Sequence, residues 1–127
     1  MNAINFKPFE ILNSWQQHLN EENISSILKL YDISCVLIPT FSSEILTYNE
    51  QIKEYFVKVI EVQKGKVEFQ PNSISEQLVG KNMYLLSGKY FFHLMEKEKI
   101  PARFSFLVNL LKEKPILHHH SSRIISN

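Results

Sequence analysis

The sequence predicts an α+β fold, with helices in the first half of the chain and a mostly antiparallel sheet in the second. Three observations lead there. Apolar residues recur at helical spacing in three stretches before Gly65. They alternate between two faces along Met83 to Met95 and again from Arg103 onward. Within Ile100 to Arg123, two apolar runs flank a short charged break, Lys112-Glu113-Lys114-Pro115, which reads as a β-hairpin.

The elements follow in order. Pro8 suits a first helical turn, and Phe9, Leu12, Trp15 and Leu19 carry the periodicity to about residue 20. Polar Asn20 to Asn23 breaks it. Ile24, Ile27, Leu28 and Tyr31 stand at i, i+3, i+4 and i+7 and predict a second short helix, with Asp32 at its end. Ser34 to Thr40 is a β-branched strand stopped by Pro39. A loop from Phe41 to Glu44 and a short strand at Ile45-Leu46 follow. Thr47-Tyr48-Asn49-Glu50 matches a capping box, with Thr47 as the cap and Glu50 reaching back. Ile52, Tyr55, Phe56, Val59 and Ile60 then define a third helix that Gly65 terminates. Lys66 to Phe69 and Ser73 to Val79 form one strand path broken at Pro71-Asn72, and Gly80-Lys81-Asn82 turns the chain. Tyr84, Leu86, Gly88, Tyr90 and Phe92 make the core face of the long strand that follows, and charged Glu96 to Lys99 is a solvated tip.

The last hairpin sets the two faces of the sheet. With Lys112 and Glu113 as a two-residue turn, Phe104, Phe106, Val108, Leu110, Leu117, His119 and Ser121 share one face. Arg103, Ser105, Leu107, Ile116, His118 and His120 share the other. The aromatic face belongs in the core, because burial of large apolar area drives folding. The three consecutive histidines therefore divide: His119 looks inward, His118 and His120 outward. A bulge near Pro115 would swap the two faces.

At 127 residues the chain has the length of one domain with a real core, and residues 1–127 are read as one unit. Its formal net charge of +1 offers no electrostatic case for nucleic acid or an anionic membrane. No apolar run reaches spanning length, and Met1 to Pro8 lacks the basic start and apolar stretch of a secretory signal, so a cytoplasmic location is expected. The single cysteine, Cys35, excludes an internal disulfide and sits in an apolar strand pattern as a structural thiol.

Pro101-Ala102-Arg103-Phe104-Ser105-Phe106, followed by Leu117-His118-His119-His120-Ser121-Ser122, resembles bacterial homologues of the association domain of calcium/calmodulin-dependent protein kinase II. Asn13-Ser14-Trp15, Leu30-Tyr31, Val36-Leu37-Ile38-Pro39-Thr40, Tyr55-Phe56 and Ser87-Gly88-Lys89-Tyr90 extend the resemblance over most of the chain. It implies the cone-shaped nuclear-transport-factor-like (SnoaL-like) fold, with the helices closing a strongly bent sheet. It also implies a ligand pocket in the cone lined by Trp15, Tyr31, Tyr90, Phe92, Phe106, His119 and Ser121, although the plainer reading of Trp15 and Tyr31 is core packing, and a homodimer or higher oligomer through the outer sheet face. The kinase hub lines its deep pocket with arginines; Phe92, Phe106 and Ser121 stand at those positions, so any ligand should be small and more apolar. A kinase lobe does not fit in 127 residues, so no kinase activity is expected.

The residues bear on metal binding, acid–base catalysis, anion recognition and assembly. His118 and His120, with His93 on the same face, fall short of the three or four ligands a zinc site needs, so no metal and no cofactor is expected. General acid–base catalysis of the isomerase, cyclase or dehydratase type would rest on His119 and Tyr90; the plainer reading is a buried, hydrogen-bonded histidine. The one aspartate, Asp32, stands two positions before Ser34, where many relatives carry an aspartate. The hub's anion site is not inherited. For assembly, Arg103, Ser105, Leu107, Ile116, His118 and His120 form a mixed face suited to a two-fold contact, made pH-sensitive by its histidines.

Overall fold

The structure, a computed structural model, describes residues 7–95 and 98–125. Helix α1 (Pro8–Asn20) and the one-and-a-half-turn α2 (Ile24–Leu28) come first, followed by β1 (Tyr31–Ile38) and α3 (Asn49–Val57). α3 runs into a π-helical turn, Lys58–Val62. The remaining strands are β2 (Lys66–Phe69), β3 (Ser75–Gly80), β4 (Met83–Leu94), β5 (Glu98–Asn109) and β6 (Ile116–Arg123), with a short 3₁₀ turn, Pro71–Ser73, between β2 and β3.

One sheet runs β1-β6-β5-β4-β2, with β3 also paired to β4. β1 and β6 are parallel; the other pairs are antiparallel. β4 and β5 pair over their full length, from Met83↔Asn109 to Leu94↔Glu98. The other edge of β4 is shared: β2 takes the half from Tyr90 to His93, and β3 the half from Met83 to Ser87. The Pro71-Asn72 break lies where one pairing gives way to the other. There Gly88 is required, because a Cβ would meet Phe104 Cζ at 3.0 Å, Ser73 Oγ at 3.1 Å and Ile74 Cα at 3.2 Å.

The helices cover the concave side. Ile11, Leu12, Trp15 and Leu19 of α1, Ile52 and Phe56 of α3, and Ile60 of the π turn are buried in one core with Leu86, Tyr90, Phe92, Phe104 and Phe106. α1 also closes a sheet edge. Asn20 Nδ2 donates to the Val67 carbonyl at 2.9 Å, the Val67 amide donates to Asn20 Oδ1 at 2.8 Å, and the Phe69 amide donates to Gln16 Oε1 at 2.8 Å. These bonds occupy backbone groups of β2 that an edge strand would otherwise offer to another chain.

Several local expectations are corrected. α2 stops at Leu28, and Tyr31 and Asp32 lie in β1, which begins three residues before the predicted Ser34. Pairing of Tyr31 with Ile116 overrides the helical spacing. The α3 cap is one residue later than predicted. Gln51 Oε1, not Glu50, accepts from the Tyr48 and Thr47 amides, at 3.3 and 3.0 Å. The β5–β6 connection spans 110–115 rather than two residues, closed by the Asn109 amide on the Pro115 carbonyl at 2.9 Å.

A register shift between Leu107 and Val108 sets Ile116 opposite Val108. Ile116 is therefore buried on the core side, not on the outer face where strict alternation placed it, while His118 and His120 stay outside. The expected solvated tip includes Glu96 and Lys97, which lie outside the described residues, as do Met1 to Phe6 of the N-terminal reading. Among the described residues no helix is long and apolar enough to cross a membrane.

Candidate functional site

The interior of the cone is organised on Trp15. Its ring packs against Phe56, Phe69, Tyr90, Phe106 and His119, with centroids 5.4–6.5 Å away. β6 supplies His119 and Ser121, β1 supplies Tyr31, and β4 supplies Tyr90 and Phe92. Trp15, Tyr31, Tyr90, Phe92, Phe106, His119 and Ser121, expected to line a ligand pocket, are all buried and fill the interior rather than surround an open cavity.

Their polar atoms form one continuous chain. Trp15 Nε1–H donates to Tyr31 Oη at 2.9 Å, and Tyr31 Oη lies 2.9 Å from His119 Nδ1. His119 Nε2 lies 3.2 Å from Tyr90 Oη, and Tyr90 donates to Ser121 Oγ at 2.5 Å. Ser121 in turn contacts the Thr40 hydroxyl. One arrangement gives every donor an acceptor. Tyr31 donates to Nδ1, His119 carries its proton on Nε2 and donates to Tyr90, and Ser121 donates to Thr40. A protonated imidazole would break it, because Tyr31 Oη would receive two donors and its own proton would lose its acceptor.

Burial acts in the same direction. It holds the His119 pKa well below the usual histidine value, helped by neighbouring His118 and His120. Burial also raises the Tyr31 and Tyr90 hydroxyls well above the usual phenol range. The chain is therefore neutral at pH 7.

The space left beside these groups is small. Trp15, Leu37, Tyr55, Phe92 and His119 are among the residues around an enclosed void of about 10 Å³, near the lower limit for one water molecule. Tyr55 stands between this void and the outer surface, with Phe41 packed beside it. The Phe41 ring meets Phe92 edge-on at 5.1 Å, and its amide donates to Tyr55 Oη at 3.4 Å. Outside Tyr55 lies a cleft of about 540 Å³, lined by Phe41, Ser42, Glu44, Gln51, Glu54 and Lys58 among others. Tyr55 borders both spaces. Its place between them, and that of Thr40 at the end of the polar chain, follow from the fold; in the sequence they show only as helix-stripe and strand-end residues.

Asp32 takes no part in this interior. Its carboxylate receives Lys112 Nζ at 2.8 Å and the Ser34 hydroxyl at 2.6 Å. The Lys112 and Ser34 hydrogen bonds lower its pKa to about 2. Cys35 is buried, and burial with nearby Asp32 raises its thiol to about 11, so it is a packed side chain at neutral pH.

The convex face of the sheet presents cross-strand rows. Gln77, Leu85, Leu107 and His118 form one; Ser75, Ser87, Ser105 and His120 the next; Lys89, Arg103 and Ser122 a third. Five of the six residues assigned to an assembly face, Arg103, Ser105, Leu107, His118 and His120, lie here; Ile116 does not.

No protein-family profile matches the chain, and no curated protein matches it by sequence. Solved structures do. A Xanthomonas campestris protein named as a candidate calcium/calmodulin dependent protein kinase II association domain superposes with a TM-score of 0.81 at 25% identity, over 100% of this chain and 99% of that one. An NTF-2 like protein of unknown function from Shewanella oneidensis gives 0.71 at 16% identity, covering 90% and 94%. A candidate dehydratase of the NTF2-like family from Streptomyces avermitilis gives 0.77 at 7%, covering 93% and 94%. The chain has the nuclear-transport-factor-like, cystatin-like cone fold.

Proposed function

We propose that this chain is an oligomerising module of the association-domain type, with no kinase activity of its own, that joins a second copy through the convex face of its sheet. The observation that carries this reading is the state of that face and its edge in the single chain. β3 is exposed along all six residues, with Leu78 67% and Val79 53% exposed, while the β2 edge is closed by Asn20 and Gln16. Beside β3, the row Leu85, Leu107 and His118 is only half-buried. An isologous contact would cover these groups twice over for one interface. The Xanthomonas neighbour, named for an association domain, supports the same reading.

Small-molecule binding belongs to the proposal as a property of the opened cone. Its aromatic lining suits an apolar ligand, which enters only when Phe41 and Tyr55 move aside. A second reading, a small isomerase, cyclase or dehydratase using His119 and Tyr90, is favoured by their 3.2 Å contact. It too needs the cone to open. His119→Phe and Tyr90→Phe separate the two: the module keeps its assembly and ligand binding, whereas an enzyme loses all turnover with its fold intact.

Light scattering and sedimentation test the assembly. A dimer or higher oligomer at micromolar concentration is expected, and Leu85→Asp with Leu107→Asp should give a folded monomer. A wild-type monomer at that concentration overturns the proposal.

A further inference from the structure

Lys89 and Arg103 are direct cross-strand partners on the convex face. Like charges in that relation repel and weaken the pair. Among the described residues, no carboxylate lies within 4.0 Å of either cation: the ion pairs found are Lys66–Glu22, His93–Glu68 and Lys112–Asp32. Both cations line a groove of about 470 Å³. Ser75, Ser87, Ser105, Ser122 and His120 complete its polar wall. The Ser73 hydroxyl at its rim is already committed, donating to the Gln70 carbonyl at 2.7 Å and accepting from the Lys89 amide at 2.9 Å. Ser87 and Ser105 face each other across the strands with oxygens 3.3 Å apart.

The geometry points to a binding groove for a small phosphorylated molecule, its phosphoryl group held between Lys89 and Arg103, by the Ser122 hydroxyl and by whichever of the paired Ser87 and Ser105 hydroxyls does not donate to the other. A phosphoryl dianion neutralises both cations at once, and its three terminal oxygens match a fork of guanidinium N–H donors beside several hydroxyls. The groove is shallow and open to solvent, so an organic group attached to the phosphoryl extends from its open side. The site is separate from the cone interior. It lies on the opposite face of the sheet, beside the proposed contact between copies: Lys89 stands four residues, roughly 13 Å, along β4 from Leu85, and Ser87 and Ser105 stand two residues, roughly 7 Å, from Leu85 and Leu107. It is open in the single chain.

Backbone amide NMR of the full chain tests this, titrating glycerol phosphate, inorganic phosphate and acetate at constant ionic strength. Saturable shifts at Ser87, Lys89, Arg103, Ser105 and Ser122 are expected, with glycerol phosphate binding at a Kd on the order of 1 mM or tighter. Acetate should bind more weakly. Lys89→Gln with Arg103→Gln should weaken phosphate binding about tenfold or more. A second measurement does not need the ligand: Lys89→Gln alone should raise the thermal midpoint at low salt, by removing the like-charge pair. No saturable shift, shifts confined to other surfaces, acetate binding as tightly as phosphate, or a lowered midpoint for Lys89→Gln would each overturn the assignment.

Discussion

The Phe106 ring lies flat on the His119 imidazole, 3.8 Å between centroids and 17° between planes. Trp15 meets the same imidazole edge-on at 5.4 Å and 89°. Both ring nitrogens are held at the same time by Tyr31 and Tyr90. His119 is therefore packed and bonded as a neutral ring, a part of the core that happens to titrate.

This makes stability depend on pH in a defined direction. The folded pKa of His119 lies below its unfolded value of about 6.5, so the unfolded chain takes the proton first. Stability is complete above that pH and falls on acidification, by up to about 1.4 kcal/mol per pH unit. His118, lowered by partial burial and by His120, adds a smaller effect of the same sign. His119→Gln should cost about 1–3 kcal/mol at neutral pH and flatten most of the slope, measured by urea unfolding between about pH 7.5 and 5.5. An unchanged slope would contradict the neutral-ring assignment.

A second acid transition belongs to Asp32. Its pKa of about 2 lies below the unfolded value, so the stability it contributes is present above about pH 4 and is lost as pH falls toward 2. Lys112→Met removes the 2.8 Å ion pair. Because Lys112 is half exposed, the expected loss at neutral pH is about 1 kcal/mol, with a smaller stability change between about pH 4 and 2. Unfolding midpoints at the two pH values check it.

The Phe41–Phe92 contact gives a third test. Phe41→Ala removes the edge-on contact with Phe92, at a cost of about 1–2 kcal/mol, and opens the cone toward the outer cleft. The variant should bind small aromatic hydrocarbons more tightly than the wild type by calorimetry. Equal, negligible binding by both would count against an interior ligand.

Gly88→Ala places a methyl group within 3.0 to 3.2 Å of Phe104, Ser73 and Ile74. The crossing from β2 to β3 must then shift, and a loss of about 1–3 kcal/mol is expected in chemical denaturation.

Assembly should also respond to pH. His118 sits in the half-buried row with Leu85 and Leu107, and protonating it in a covered interface is unfavourable. The oligomer should weaken from about pH 7.5 to about 5.5, and His118→Gln should remove most of that dependence in sedimentation experiments.

Much of this architecture was legible in local pattern. The two faces of β4, the inward turn of His119 and the break at Pro71-Asn72 follow from alternation and from proline, both properties of neighbouring residues. The gathering of Trp15, Tyr90, Phe92 and Phe106 followed instead from the family resemblance; local pattern alone put Phe106, Tyr90 and Phe92 on buried strand faces and Trp15 on a helix stripe. Tyr31 was misread because its spacing satisfies a helix, and only the partner strand around Ile116 makes it a strand residue. Ile116 was misplaced because a bulge adds a residue that alternation cannot count.

Local pattern thus carries the position of most helices and strands and the apolar side of β5, because those depend on periods of two and of 3.6 along the chain. The tertiary structure decided how the interior is filled and wired: the chain from Trp15 through His119 to Thr40, the 10 Å³ void, and the pairing of Lys89 with Arg103. Those depend on distances between strands far apart in sequence, which are set only when the sheet closes over the helices.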